Sequence, residues 1–162
     1  MTESIDQFAH TNPAFCLSCL RWTCQGYRQQ KRERKDALQG FLWPWGTLCL
    51  ALLAPEAVRA ELPRNANGKL SILFHEHPQW RLGLPETLRF WSAPFWLAVR
   101  LGIGTGTLSM QNGRLYAEGN VDNPARPLDL ELKKRATALG KILAKEADDN
   151  AISLILGLTV AP

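Results

Sequence analysis

The stretch Thr107-Leu108-Ser109-Met110-Gln111-Asn112-Gly113-Arg114-Leu115-Tyr116-Ala117 decides the fold class. Asn-Gly between two short alternating runs is the strongest local signal for a two-residue hairpin, because both turn residues must adopt positive φ. With that turn, Met110 faces Leu115, Leu108 faces Ala117, and Ser109 pairs with Tyr116 on the opposite face. A hairpin with one apolar face lies on something apolar, and everything around it reads as helix.

Upstream, Gly102, Gly104 and Gly106 punctuate the end of a helix, and two helical stretches precede them, about Pro85–Ser92 and Pro94–Leu101. Each carries a proline near its start, which suits the first helical position. Leu70 to His77 reads as a short helix stopped by Pro78, after a turn-rich connection, Pro63 through Gly68. Leu38 to Leu53 is apolar at nearly every position, so it is a buried segment that Pro44 starts or kinks and Pro55 closes. Thr11-Asn12-Pro13 opens the first helix with an Asn cap and a proline behind it. Its stripe (Phe15, Cys19, Trp22, Cys24, with Leu20 and Tyr27) predicts a helix over Pro13–Tyr27 that weakens at Gly26 and gives way to a basic loop. Downstream, Asn120 to Pro127 is a loop. Leu132, Ala136, Leu139, Leu143 and Ala147 then mark a helix over Leu128–Ala147 whose polar side carries Lys133, Lys134, Lys141 and Lys145. The closing segment reads as a short helix between Asp148-Asp149-Asn150 and Gly157, although its β-branched residues favour a strand. Helices, then a hairpin, then more helix give a mainly α fold with a β-hairpin. The expectation is a single winged-helix-like domain over residues 11–162 behind a flexible N-terminus, 1–10.

The chain of 162 residues, 46% hydrophobic and 21% charged, suits one ordinary domain and excludes a mainly disordered protein. Four cysteines are too few for a disulfide scaffold. Residues 1–10 carry Glu3 and Asp6 and no Lys or Arg, the wrong sign for an export signal. The longest apolar run, Phe41–Leu53, is 13 residues and falls short of a bilayer span. A cytoplasmic protein is expected. Nineteen basic against fifteen acidic residues leave a net +4. All of that excess resides in residues 28–35, where Arg28, Lys31, Arg32, Arg34 and Lys35 stand against Glu33. A short basic stretch is more often a solvated helix end than a phosphate contact, so these five residues are the weaker, nucleic-acid candidates.

No constellation has catalytic spacing. Cys16 and Cys19 form one CxxC, but Cys24 and Cys49 supply no second pair for a structural zinc, and the helix stripe already uses cysteine as a small apolar residue. His75 and His77 stand two apart, not on one helix face. Gly102–Gly106 follows a helix and precedes a strand, the wrong order for either phosphate loop. Asp148-Asp149 reads as a cap. The expectation is no enzyme, no cofactor and no bound metal. Six tryptophans remain. Trp43 and Trp45 flank Pro44, and Trp91 and Trp96 flank Pro94. Core packing accounts for most tryptophans, yet Trp is enriched at interface hot spots, so these four are the candidate partner-binding residues.

The chain resembles the small middle component of bacterial three-component ABC-type conflict systems, the group that includes the small subunit of Lamassu-type phage defence. The resemblance runs from Thr11 to Pro162. It rests on Asn12-Pro13-Ala14-Phe15, Gly26-Tyr27, the apolar block Leu38–Leu53, the helix ending at His77-Pro78, the Asn-Gly hairpin, Leu139-Gly140 and the closing Leu156–Pro162, taken in that order. It implies a non-enzymatic winged-helix adaptor that works with an SMC-like coiled-coil ABC ATPase and with an effector, often a nuclease. DNA is a further candidate partner through the complex, and the isolated subunit is expected to bind it at most weakly and without regard to sequence. A DNA-binding winged-helix transcriptional regulator is the alternative, with the stretch 28–35 and the hairpin on phosphates.

Overall fold

The computed structural model describes residues 12–119, 127–146 and 148–158. The expectations for residues 1–10, for the loop before Pro127 and for the tail after Leu158 lie outside them. Among the described residues, seven helices and a three-stranded antiparallel sheet form around one core.

Helix α1 spans Pro13–Glu33. The Asn12 side chain accepts from the amides of Ala14 and Phe15 at 3.0 and 3.3 Å, satisfying two of the orphan donors at the helix start. The helix does not stop at Tyr27. It continues through six more residues, because Gly26 is not a terminator here but a contact point for another helix. The basic stretch is therefore mostly helical. It ends at Arg34, with Lys35 in a left-handed turn at φ 55°.

The apolar block then divides. Phe41–Leu42 is a two-residue strand, β1, and Trp43–Leu53 is helix α2, with Pro44 in its first turn. Pro55 ends α2, and Glu56–Ala60 forms the short α3. Arg59 is buried, and its Nη1 donates to the carbonyls of Leu53 and Ala54 at 2.8 and 3.1 Å. A cation on the exposed carbonyls of a helix end satisfies both hydrogen bonding and the helix dipole. Leu70–Glu76 is α4, followed by a 3-10 turn over Pro78–Arg81.

Leu84–Gly104 is one continuous helix, α5, where the two prolines predict two shorter ones. Pro94 sits inside it and is buried. An interior proline removes a backbone hydrogen bond and costs about 3 kcal/mol. Here Leu84, Trp91, Pro94, Phe95, Ala98, Val99 and Gly102 form one unbroken buried stripe, and burying each large apolar side chain contributes about 1.5–3 kcal/mol. Packing outweighs the proline.

Strands β2 (Leu108–Gln111) and β3 (Arg114–Ala117) pair as the sequence predicts: Met110 opposite Leu115, Leu108 opposite Ala117, Ser109 opposite Tyr116. Asn112 and Gly113 hold φ of 53° and 75°, the positive pair such a turn demands. β1 adds to the far edge of β3, with Phe41 opposite Leu115, giving the order β1-β3-β2. Helices α6 (Pro127–Ala144) and α7 (Asp149–Leu156) follow. Asp148 caps α7 by accepting from the Ala151 amide at 2.8 Å, and Gly157 ends it at φ 71°. The closing segment is thus a helix, because the caps outweigh strand propensity.

The core is built on the crossing of α1 and α6, with α2, α5 and β3 packed around α1. At the crossing the backbones nearly touch. A Cβ on Gly26 would lie 2.1 Å from the Thr137 carbonyl oxygen, and one on Gly140 would lie 2.1 Å from the Thr23 carbonyl oxygen. Each glycine is a hollow that receives the other helix.

Candidate functional site

The four tryptophans singled out by sequence do not share one fate. Trp45 is buried, and its indole N–H donates to Asp149 Oδ1 at 2.9 Å. Trp91 is buried in the α5 stripe. Neither can anchor a partner, and both are corrections to the sequence reading: flanking a proline says nothing about which side of the helix a ring takes. Trp43 and Trp96 do lie together. Their rings are 5.2 Å apart, both meet Phe95, and Trp43 is 37% exposed.

That pair borders a larger apolar surface. Phe90 is 56% exposed, Leu97 52%, Leu101 36% and Ile103 52%, and Ala93 is exposed between them. Positions 90, 93, 97 and 101 fall three or four apart, so they form one outward stripe along α5. Arg89 and Arg100 flank it, and Glu86 lies at its start. Sequence reading does not pick out this stripe. The spacing was visible, but splitting the segment at Pro94 hid the fact that it belongs to one helix.

The basic stretch is largely engaged in holding the fold. Arg28 Nη2 donates to the Ala117 carbonyl at 2.8 Å and so ties α1 to β3. Lys31 is buried over the Tyr27 ring and pairs with Asp36 at 3.2 Å. Arg32 donates to Gln39 Oε1 at 3.3 Å, and Arg34 to the Lys145 carbonyl at 2.9 Å. Arg32, Arg34 and Lys35 are exposed.

All four cysteines are buried. Burial pushes the thiols of Cys16 and Cys24 up to about 12 and raises those of Cys19 and Cys49 well above their usual range. A thiol shut off from solvent and raised this far above its usual range is a poor nucleophile. Their role as core residues is as the helix stripe predicts. His77 stacks on Trp80 at 4.1 Å, closing the turn after α4. Asp148 and Asp149 are not a working pair of acids. Asp148 is a cap, and Asp149 accepts from Trp45 and pairs with Arg114 Nη2 at 2.9 Å. Arg114 also donates to the Gly40 carbonyl at 2.8 Å. One carboxylate and one guanidinium thus fasten α7, α2 and the chain entering β1 to β3.

A cavity of about 400 Å³ opens between α6 and the loop at Arg64–Ala66. Leu130, Ala66 and Ala138 contribute apolar wall, and Arg64, Lys133, Lys134 and Lys141 contribute four positive charges. Among the described residues that line it there is no acid.

A family model described as ABC-three component (ABC-3C) system Middle Component 3 matches residues 7–160. The chain belongs to this family. The family's name makes it one component of a three-component ABC system, as the resemblance of the sequence implies. No curated protein and no solved structure is significantly similar to it. Among the described residues, no helix is long and apolar enough to cross a membrane.

Proposed function

We propose that this middle component is a non-catalytic, cytoplasmic adaptor without a cofactor. In this reading it docks on an SMC-like coiled-coil ABC ATPase and couples it to an effector, with a nuclease as the effector class that the Lamassu-type resemblance favours. The observation that carries the reading is the outward stripe of α5. Contiguous exposed apolar surface on a soluble domain marks a partner site, and aromatic anchors in such patches are each worth more than about 2 kcal/mol.

The same stripe weighs against the DNA-binding regulator. We read the order α1-β1-α2, then α5 followed by the β2–β3 hairpin, with β1 beside β3, as a winged helix carrying an insertion at α3–α4. In such a unit the helix before the hairpin, α5, would enter the DNA groove. A groove-reading helix needs side chains that donate to or accept from base edges. The outward positions of α5 are Phe90, Ala93, Leu97, Leu101 and Ile103, with only Arg89 and Arg100 suited to DNA.

Co-expression with the ABC ATPase component of its system tests the proposal. The adaptor co-purifies with the ATPase and is poorly soluble or self-associating without it. Phe90→Asp with Leu97→Asp abolishes co-purification while thermal unfolding stays within a few degrees, since both side chains are exposed. Undiminished co-purification of that variant, or a stable dimer that binds a specific DNA sequence alone and ignores the ATPase, overturns the reading.

A further inference from the structure

The outward face of α5 carries charge as well as apolar surface. At 3.6 residues per turn, Phe90, Leu97 and Leu101 form one row along it, and Trp96 and Ile103 form a second, with Trp43 packed on Trp96 at 5.2 Å. Between the rows lie Arg89, Ala93 and Arg100, all exposed. Among the described residues neither arginine has a hydrogen-bond or ion-pair partner. Glu86, one turn before Arg89, is the single acid in α5.

We propose that this face receives an amphipathic α-helix of a partner component, with carboxylates about three turns apart that pair with Arg89 and Arg100. This rests on the reading of α5 as the docking face and adds the chemistry of what covers it. A body that covers both apolar rows also takes the two arginines out of water, and a buried charge is costly unless it is paired. The occupant therefore brings apolar side chains and acids together. A second copy of this chain does not: two such faces would put four arginines and two glutamates into one interface, and like charges suppress that pairing. Nucleic acid brings anions without apolar surface to match the rows. A helix lying in a lipid surface keeps its cations on the polar side, whereas Arg89 and Arg100 stand between the apolar rows. A second helix fits the shape, because two ridges on either side of a small residue form a groove that accepts the ridge of another helix. Arg89 and Arg100 are eleven residues apart, roughly 16 Å along the axis. Two acids at the same separation lie on one side of a helix and span the same length.

Co-expression of the full chain, carrying the photo-crosslinker substitution Phe90→p-benzoylphenylalanine, with both other components of its system tests this. Illumination of the purified complex followed by mass spectrometry is expected to join position 90 to a helical segment of one component, with Asp or Glu about three turns apart. Arg89→Glu with Arg100→Glu weakens the complex by at least about thirtyfold, and lysines in place of the two acids of the captured helix restore it. Thermal melting confirms that the double variant folds, since both side chains are exposed. If Phe90→Asp with Leu97→Asp breaks the complex while Arg89→Glu with Arg100→Glu leaves it intact, this inference is overturned and the docking reading stands. Loss in neither pair, or no complex at all, overturns both. Capture of an acid-free segment or of a second copy of this chain overturns the inference alone. So does binding of the chain to phosphatidylserine vesicles with no component captured, which would reassign the face to a lipid surface.

Discussion

Replacing Gly26 or Gly140 by alanine tests the helix crossing on which the core is built. In an isolated helix, Gly→Ala stabilises by about 0.8–1 kcal/mol. At this crossing the new methyl carbon would stand 2.1 Å from a carbonyl oxygen of the facing helix, where about 3.4 Å is ordinary contact. The obstacle is backbone on both sides, so no side chain can swing away. The helices must part by roughly 1.3 Å, and a radial gap of about 1 Å already forfeits a quarter to a half of each dispersion contact across it. Overpacking of this kind costs about 1–3 kcal/mol and sometimes more. With the helix-propensity gain credited against the upper half of that range, each variant should be less stable by about 1–2 kcal/mol, which for a chain of this size lowers Tm by about 2–8 °C. Urea titration followed by far-UV circular dichroism measures it. The two lesions open the same interface, so the double variant should be milder than the sum of the singles. A stabilised Gly26→Ala protein would refute the reasoning, because propensity would then have won and the helices could not lie so close.

Asp149→Ala removes the acceptor of Trp45 and the counter-ion of Arg114, and should cost about 2–4 kcal/mol in urea denaturation, while Asp149→Asn keeps the indole bond and costs less. Arg59→Ala leaves the Leu53 and Ala54 carbonyls without their shared donor and should cost about 1–3 kcal/mol, again read by urea denaturation. In the folded protein Cys16 and Cys24 hold their protons up to about pH 12, whereas unfolded thiols release them near 8.5–9. The folded state therefore binds more protons in that window, and stability is complete below about pH 9 and declines above it, by at most about 1.4 kcal/mol per pH unit for each thiol. The urea midpoint should fall more steeply from pH 9 to 11 in the unaltered chain than in Cys16→Ala with Cys24→Ala, and a thiol reagent at pH 8 should label the cysteines only after denaturant is added.

The hairpin was legible residue by residue because an Asn-Gly turn fixes register locally, with no help from the rest of the chain. The caps Asn12 and Asp148 were legible for the same reason. What sequence misplaced depends on contacts across the molecule. Gly26 reads as a weak helix end, yet it is the hollow into which α6 packs. Pro94 reads as a helix start, yet its burial among Trp91, Phe95 and Ala98 lets one helix run through it. β1 is only two residues long and exists because Arg114 and Leu115 offer it an edge. Of the docking tryptophans, Trp43 and Trp96 share one exposed corner, while Trp45 and Trp91 turn inward. The basic stretch 28–35 is visible in the sequence because its charges fall within eight residues. The cluster lining the cavity is not, because Arg64 and Lys141 meet only in the fold, where Arg64 pairs with Glu131 and Arg135 and Lys145 donate to the Leu62 and Ala66 carbonyls.

The partnership of α1 with α6 also sets a schedule for the newborn chain. Arg34, at the end of α1, and Lys145, just past the end of α6, are separated by 111 residues. At a synthesis rate of about 5–20 residues per second, the first helix waits roughly 5–20 s on the ribosome before the helix that covers it exists. Throughout that interval the stripe of Cys16, Cys19, Leu20, Trp22 and Cys24 has only earlier-made segments to shelter it. Any chaperone or assembly partner that meets the nascent chain meets that stripe first. A weakened crossing would then be felt in the cell as a lower yield of folded subunit, before any difference in its melting temperature mattered.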